Sequence, residues 1–275
     1  MTHARATRSR TTLLAATAFA AVLLSGCEST GGLQEPVLEH ASSSSGASTD
    51  PSDPRNRARI RTELGSLYYS QGNMAVALEE LRLAVAADPS YALAYSMLGA
   101  VYMELREPRL AQQNFERALQ LSPTDSEINH RYGWFLCQVG READSLKYFQ
   151  QSIRNPLNPA PWRASAAAGV CSMRKGMTKE AEGFFQGALK QDPNDLTSLV
   201  NLGQLRYQQG SLEEARNLVS RFNKLVEPTP ESLWLALRIE RKLGARVAEA
   251  SLGNQLRRRF PTSREYQQLQ RGEYD

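Results

Sequence analysis

The strongest constraint on this chain is a set of residues that returns 34 positions later. Leu64, Gly65, Tyr68, Gly72, Ala77, Leu81, Ala84 and Pro89 are followed by Leu98, Gly99, Tyr102, Arg106, Ala111, Phe115, Ala118 and Pro123, with arginine replacing the second glycine. The pattern reads as a pair of helices, A and B. A small residue at the eighth position lets helix A lie against helix B, a small residue at the twentieth answers it, and the Leu or aromatic at the twenty-fourth fills the space between them. The proline at the thirty-second ends helix B before the next pair begins. Counted from Ala58, the units run 58–91, 92–125, 126–161, 162–195, 196–229 and 230–263. The third has Ser145 and Ser152 where alanine stands in its neighbours, and the sixth keeps little beyond Gly244 and Pro261. Gly169 falls 36 residues after Gly133, so two residues are inserted near Asn155-Pro156-Leu157-Asn158-Pro159-Ala160-Pro161. Three prolines forbid a continuous helix there. The segment is open to two readings, a tolerated loop or a rigid exposed feature that a partner grips.

The period and the Leu-Gly, Tyr, Ala, Phe, Pro pattern resemble the tetratricopeptide repeat. The resemblance implies an all-α fold, an α-solenoid of about six helix-turn-helix repeats forming a right-handed superhelix. With 41% apolar and 23% charged residues the composition would allow one or two globular domains, but the repeats favour one stack. In such a stack stability is a sum of local interfaces and contact order is low. Tyr132-Gly133-Trp134-Phe135-Leu136-Cys137 places bulky groups around most of one helix, which must then be covered on more than one face. Unit 230–263 reads as a terminal cap. In the tail, 264–275, Tyr266 and Leu269 suggest a final helical turn packed on it.

Residues 1–26 read differently. Arg5, Arg8 and Arg10 precede a short apolar run, Leu13 to Leu24, that ends in Leu24-Ser25-Gly26-Cys27. A spanning helix needs about 20 apolar residues, so the run reads as an export signal. Leu-Ser-Gly-Cys resembles the bacterial lipobox, which implies cleavage before Cys27 and acylation of its thiol. Several acyl chains anchor a protein durably where one does not. Residue 28 is Glu where retention at the inner membrane usually has Asp, so the outer membrane is expected. Residues 27–57, rich in Ser, Gly, Pro and Asp, read as a lipidated cysteine and a flexible tether with a span of roughly 30 Å. Loss of the signal lowers the formal charge from +4 to +1. A near-neutral chain lacks the footprint that nucleic acid requires.

Little in the sequence promises chemistry. His3 lies in the signal and His40 in the tether, leaving His130, at the fifth position of its unit, as a surface or contact residue. No glycine-rich phosphate loop, dinucleotide fingerprint or His-Glu-x-x-His helix is present. No enzyme activity, metal, cofactor or small-molecule substrate is expected. Cys137 and Cys171 stand at the twelfth and tenth positions of successive A helices, which points them in different directions; two buried free thiols are expected, although an oxidising compartment makes a disulfide conceivable. The concave surface of such a fold is built from positions 2, 5, 9, 12 and 13 of the A helices. A clamp for a C-terminal carboxylate would need Lys and Asn at positions held in the first unit by Arg59, Thr62, Glu63 and Ser66. The candidate groove residues are Tyr69, Met103, Trp134, Met173, Tyr207 and Trp234, a surface suited to an apolar or amphipathic peptide.

The segments YGWFLCQ (132–138), NPLNP (155–159), LWLALRIERKLG (233–244) and LRRRFPTSREYQQL (256–269) resemble the type IV pilus biogenesis and stability lipoprotein family, PilF or PilW. The likeness covers nearly the whole chain after the signal. It implies a pilotin: an outer-membrane lipoprotein, lipid-anchored on the periplasmic face, that binds the pilus secretin and promotes its localisation and multimerisation. Ser145, Ser152 and Asn158 depart from the family pattern. An alternative for the same architecture is an adaptor for peptidoglycan hydrolases or outer-membrane protein assembly.

Overall fold

The computed structural model describes residues 52–274, so the signal at 1–26, Cys27 and most of the tether lie outside the described residues. Thirteen α-helices follow one another, and no strand occurs among the described residues. The A helices are α1 (Pro54–Ser70), α3 (Ala92–Glu104), α5 (Ser126–Gln138), α7 (Pro161–Arg174), α9 (Leu196–Gln208) and α11 (Pro230–Lys242). The B helices are α2 (Met74–Ala87), α4 (Pro108–Leu121), α6 (Glu142–Arg154), α8 (Thr178–Gln191), α10 (Leu212–Leu225) and α12 (Arg246–Arg259), and α13 (Arg264–Arg271) closes the chain. Each A helix packs on its own B helix and on the A helices of adjacent repeats. The helix α1 begins at Pro54, four residues inside the stretch read as tether, because Asp53 caps it through Oδ1, which accepts from Arg55 N at 3.1 Å.

The close approach of A to B rests on the pair at positions eight and twenty-four. A Cβ built on Gly65, Gly99, Gly133, Gly169 or Gly203 would lie 2.5–3.0 Å from a side-chain atom of Leu81, Phe115, Phe149, Phe185 or Val219 respectively. Those partners are all buried. Repeat six inverts the pair: Leu237 stands at the eighth position, and the glycine, Gly253, stands opposite with Leu237 Cδ1 3.7 Å from its would-be Cβ. The A-to-B turn takes a left-handed residue, supplied by Gly72, Gly140, Gly176, Gly210 and Gly244. In repeat two Arg106 adopts it at φ 59°, and the turn is otherwise unchanged, with Glu107 N donating to Tyr102 O at 2.9 Å as Asn73 N does to Tyr68 O.

The helix α5 is covered on several sides. Phe115, Tyr132, Phe135 and Tyr148 form one aromatic cluster, with Tyr132 and Tyr148 edge to face at 4.7 Å. The family departures in repeat three compensate one another. Asn158 Nδ2 donates to Ser152 O at 2.8 Å and Ser152 Oγ at 3.2 Å, its Oδ1 accepts from Ala160 N at 2.9 Å, and buried Ser145 donates to Glu142 O at 2.6 Å. Asn155 ties the other end of the insertion, donating to Thr124 O at 2.8 Å and accepting from Leu157 N at 2.8 Å.

The two cysteines are not free thiols. Cys137 and Cys171 form a disulfide between α5 and α7, with Cα atoms 5.8 Å apart. Neighbouring A helices cross so that position twelve of one meets position nine or ten of the next. The same register puts the Arg238 guanidinium (position nine) over the Tyr207 ring (position twelve) at 4.8 Å. Pointing directions taken along one helix omit that crossing.

Candidate partner-binding groove

The A helices of repeats one to three, with the start of α7, enclose a cavity of about 300 Å³. The apolar floor comes from Met97, Ala100 and Phe115, and the walls from Tyr69, Met103 and Trp134. Tyr69 and Met103 hold the twelfth position of successive A helices and Trp134 the ninth, so one rotational register of the stack aims all three into the same space. Charged groups ring the opening. Tyr69 Oη donates to Glu104 Oε1 at 3.4 Å, and burial, reinforced by the Glu104 carboxylate, raises the phenol above its usual range. Arg131 Nε donates to Glu127 Oε1 at 2.8 Å, and Arg163 lies 3.9 Å from the other carboxylate oxygen. The Trp134 ring carries the Arg174 guanidinium at 5.5 Å, and that group is itself fixed by Gln138 Oε1 at 2.8 Å.

His130 sits where three cavities meet, on the groove side of α5. Its ring lies edge-on to Phe149 at 5.9 Å, and its Nδ1 is buried without a hydrogen-bond partner. Burial depresses its pKa to about 4, Arg163 and Arg131 push the same way, and Glu127 opposes them. It is a neutral, half-buried ring; of the surface or contact role its position suggested, the contact side fits, since it lines all three cavities. Among the described residues no group of three His, Cys, Asp or Glu side chains is placed to hold a metal ion.

The six groove candidates therefore separate. Tyr69, Met103 and Trp134 converge on one cavity. Met173 packs half-buried between repeats four and five with Val170, Leu199 and Leu202. Tyr207 and Trp234 are each 7% exposed, Tyr207 beneath Arg238 and Lys242 and Trp234 beneath Tyr274. Arg131 and Arg163 were missing from the candidates, although Arg163 holds the second position of its repeat and the same positional rule would have found it. A separate hollow of about 370 Å³ lies at the insertion, lined by Pro123, Thr124, Gln151, Arg154 and Pro156, with Leu157 87% exposed at its edge. The paired asparagines hold that loop in place, which favours the rigid exposed reading over a slack insertion.

Comparison with known proteins places these features in a group. Tetratricopeptide-repeat profiles match residues 65–105, 92–125, 136–196 and 172–236. The chain is 29% identical over 251 residues to the type IV pilus assembly protein PilF of Pseudomonas aeruginosa, covering 91% of this chain and 94% of PilF. The crystal structure of PilW, described as a widely conserved type IV pilus biogenesis factor, superposes with a TM-score of 0.70 at 29% identity, covering 78% of this chain and 98% of PilW. The structure of Pseudomonas aeruginosa PilF superposes with a TM-score of 0.74 at 26% identity, covering 80% and 99%. The chain is a tetratricopeptide-repeat protein, homologous to the type IV pilus biogenesis proteins PilF and PilW.

Proposed function

We propose that this protein is a pilotin, a scaffold without a reaction of its own that binds the type IV pilus secretin and promotes its localisation and multimerisation in the outer membrane. Pilus biogenesis and twitching motility depend on it in consequence. Acylated Cys27 anchors it to the periplasmic face of that membrane, and the secretin segment lies in the groove of Tyr69, Met103 and Trp134. The observation that carries the reading is the end-to-end match to PilF, 91% of one chain against 94% of the other. The groove supports it, since an open, partly apolar cavity with charges at its rim suits an amphipathic segment.

The test is retention of the secretin by the full lipidated chain, together with secretin multimers and surface pili in a deletion strain. Tyr69→Ala and Trp134→Ala are expected to weaken retention by about thirtyfold, the cost of roughly 2 kcal/mol for an aromatic anchor. Thermal melting of each variant separates lost contact from an opened cavity. Normal multimers without the protein, or retention of a hydrolase or barrel-assembly component instead, would favour the adaptor alternative. Variants that melt like wild type and bind unchanged would move the site to the hollow beside Leu157. Cys27→Ser is expected to leave the protein folded and unanchored; continued sedimentation with the outer membrane would remove the lipid from the proposal.

A further inference from the structure

Residues 272–274 fold back onto repeat six. The helix α13 contributes no buried residue, and it stops at Gly272, whose φ of +70° turns the backbone, with Glu273 N donating to Gln268 O at 3.0 Å. The coil beyond it carries Tyr274 onto α11. There its ring stacks on Trp234 at 5.6 Å with the planes 19° apart, and the Arg241 guanidinium lies 3.7 Å from the ring centroid. Glu249 holds Arg241 in place at 2.7 Å. Trp234 also meets Arg238, its guanidinium 6.0 Å from the ring centroid and its Nε buried without a hydrogen-bond partner among the described residues. Lys242 adds a third cation nearby, over Tyr207 at 4.4 Å. The residue that enters is Tyr274 alone: Glu273 stays exposed, with its carboxylate 3.6 Å from the Arg271 guanidinium, so the ring is what the cations of α11 receive.

We infer that repeat six carries a second recognition site, an aromatic slot between Trp234 and Arg241 that accepts an aromatic side chain and is filled in cis by Tyr274. Tyr266 and Leu269 pack α13 on repeat six, so only the coil beyond Gly272 has to leave: a partner segment that carries an aromatic side chain displaces Tyr274 and leaves α11, α12 and α13 in place. The slot shares no residue with the groove of repeats one to three, so either site can fail without the other.

The test uses the full chain, the variant Tyr274→Ala and the synthetic peptide Arg-Gly-Glu-Tyr-Asp, read by the indole N–H resonance of Trp234. Removing the stacked ring is expected to shift that resonance, and the peptide is expected to restore it saturably. Affinity for the wild type should be about tenfold weaker, because the tethered tail competes at high effective concentration. The peptide with Ala for Tyr should do nothing, and adding Arg241→Gln to Tyr274→Ala should weaken binding. Circular dichroism confirms that the variants are folded. A folded Tyr274→Ala chain whose Trp234 resonance ignores the peptide overturns the inference, as does equal affinity for variant and wild type.

Discussion

Arg106 occupies a backbone conformation that five glycines occupy elsewhere in the same turn, at φ 59°. A side chain there costs roughly 1–2 kcal/mol in contact between Cβ and the following carbonyl, partly offset by the freedom glycine loses on folding. Arg106→Gly is therefore expected to stabilise the protein by about 1 kcal/mol in urea unfolding, with an unchanged slope, because no other contact depends on it. The sequence exposes this position plainly, as the one missing glycine in an otherwise faithful second repeat. His130 was less legible. Its position faces the groove, but its burial is set by Phe149 from α6 and by the Arg163 side chain from the next repeat, which a single helix cannot reveal. With its pKa lowered from 6.5 to about 4, the folded protein binds that proton less readily than the unfolded chain. Stability is thus fully present above pH ~6.5 and is lost as pH falls toward ~4, by on the order of 3 kcal/mol. Glu127, Arg131 and Arg163 sit beside it, so the comparison is with His130→Gln: its stability should fall less than wild type's over that window. Parallel pH profiles would contradict the assignment.

Among the elements, the junction between α6 and α7 carries the largest departure from regularity. The sequence marked the place through two inserted residues and three prolines, and its period marked the chain as a stack of helix pairs. It did not reveal how the departure is mended, since Asn158 and Ser152 look like separate deviations until the hydrogen bonds between them are seen. The disulfide was obscured for a related reason: the crossing of adjacent A helices belongs to the interface and not to either helix. It closes a loop of 34 residues, which restricts the unfolded chain by about 3–4 kcal/mol. Unfolding in urea with and without a thiol reductant is expected to differ by an amount of that order, and Cys137→Ala with Cys171→Ala should remove the difference. An unchanged midpoint after verified reduction would mean that the repeats already hold this junction unaided.

For the stack as a whole, repetition explains both what was readable and what was not. Gly65 with Leu81, Gly99 with Phe115 and Gly169 with Phe185 are local pairs, sixteen residues apart, so a sequence pattern captures them directly. The groove is a relation between repeats. Tyr69, Met103 and Trp134 share a cavity, whereas Tyr207 and Trp234 occupy comparable faces and are covered, one by Arg238 and Lys242, the other by a residue three positions beyond the last helix. Tyr266 and Leu269 did suggest a final turn packed on repeat six, and α13 is that turn, but nothing in the period marks Tyr274 as the residue that covers Trp234. The covalent link between α5 and α7 also has a mechanical meaning. When the chain is drawn out from its two ends, each hairpin can come away from its neighbour, but the stretch from Cys137 to Cys171 stays out of the load path. The fully extended oxidised chain should then be shorter than the reduced one by about 110 Å, at ~3.4 Å for each residue withheld. In a single-molecule stretching trace that difference is a missing step in the middle of the unravelling, making the bond a stop that limits how far this spacer can pay out.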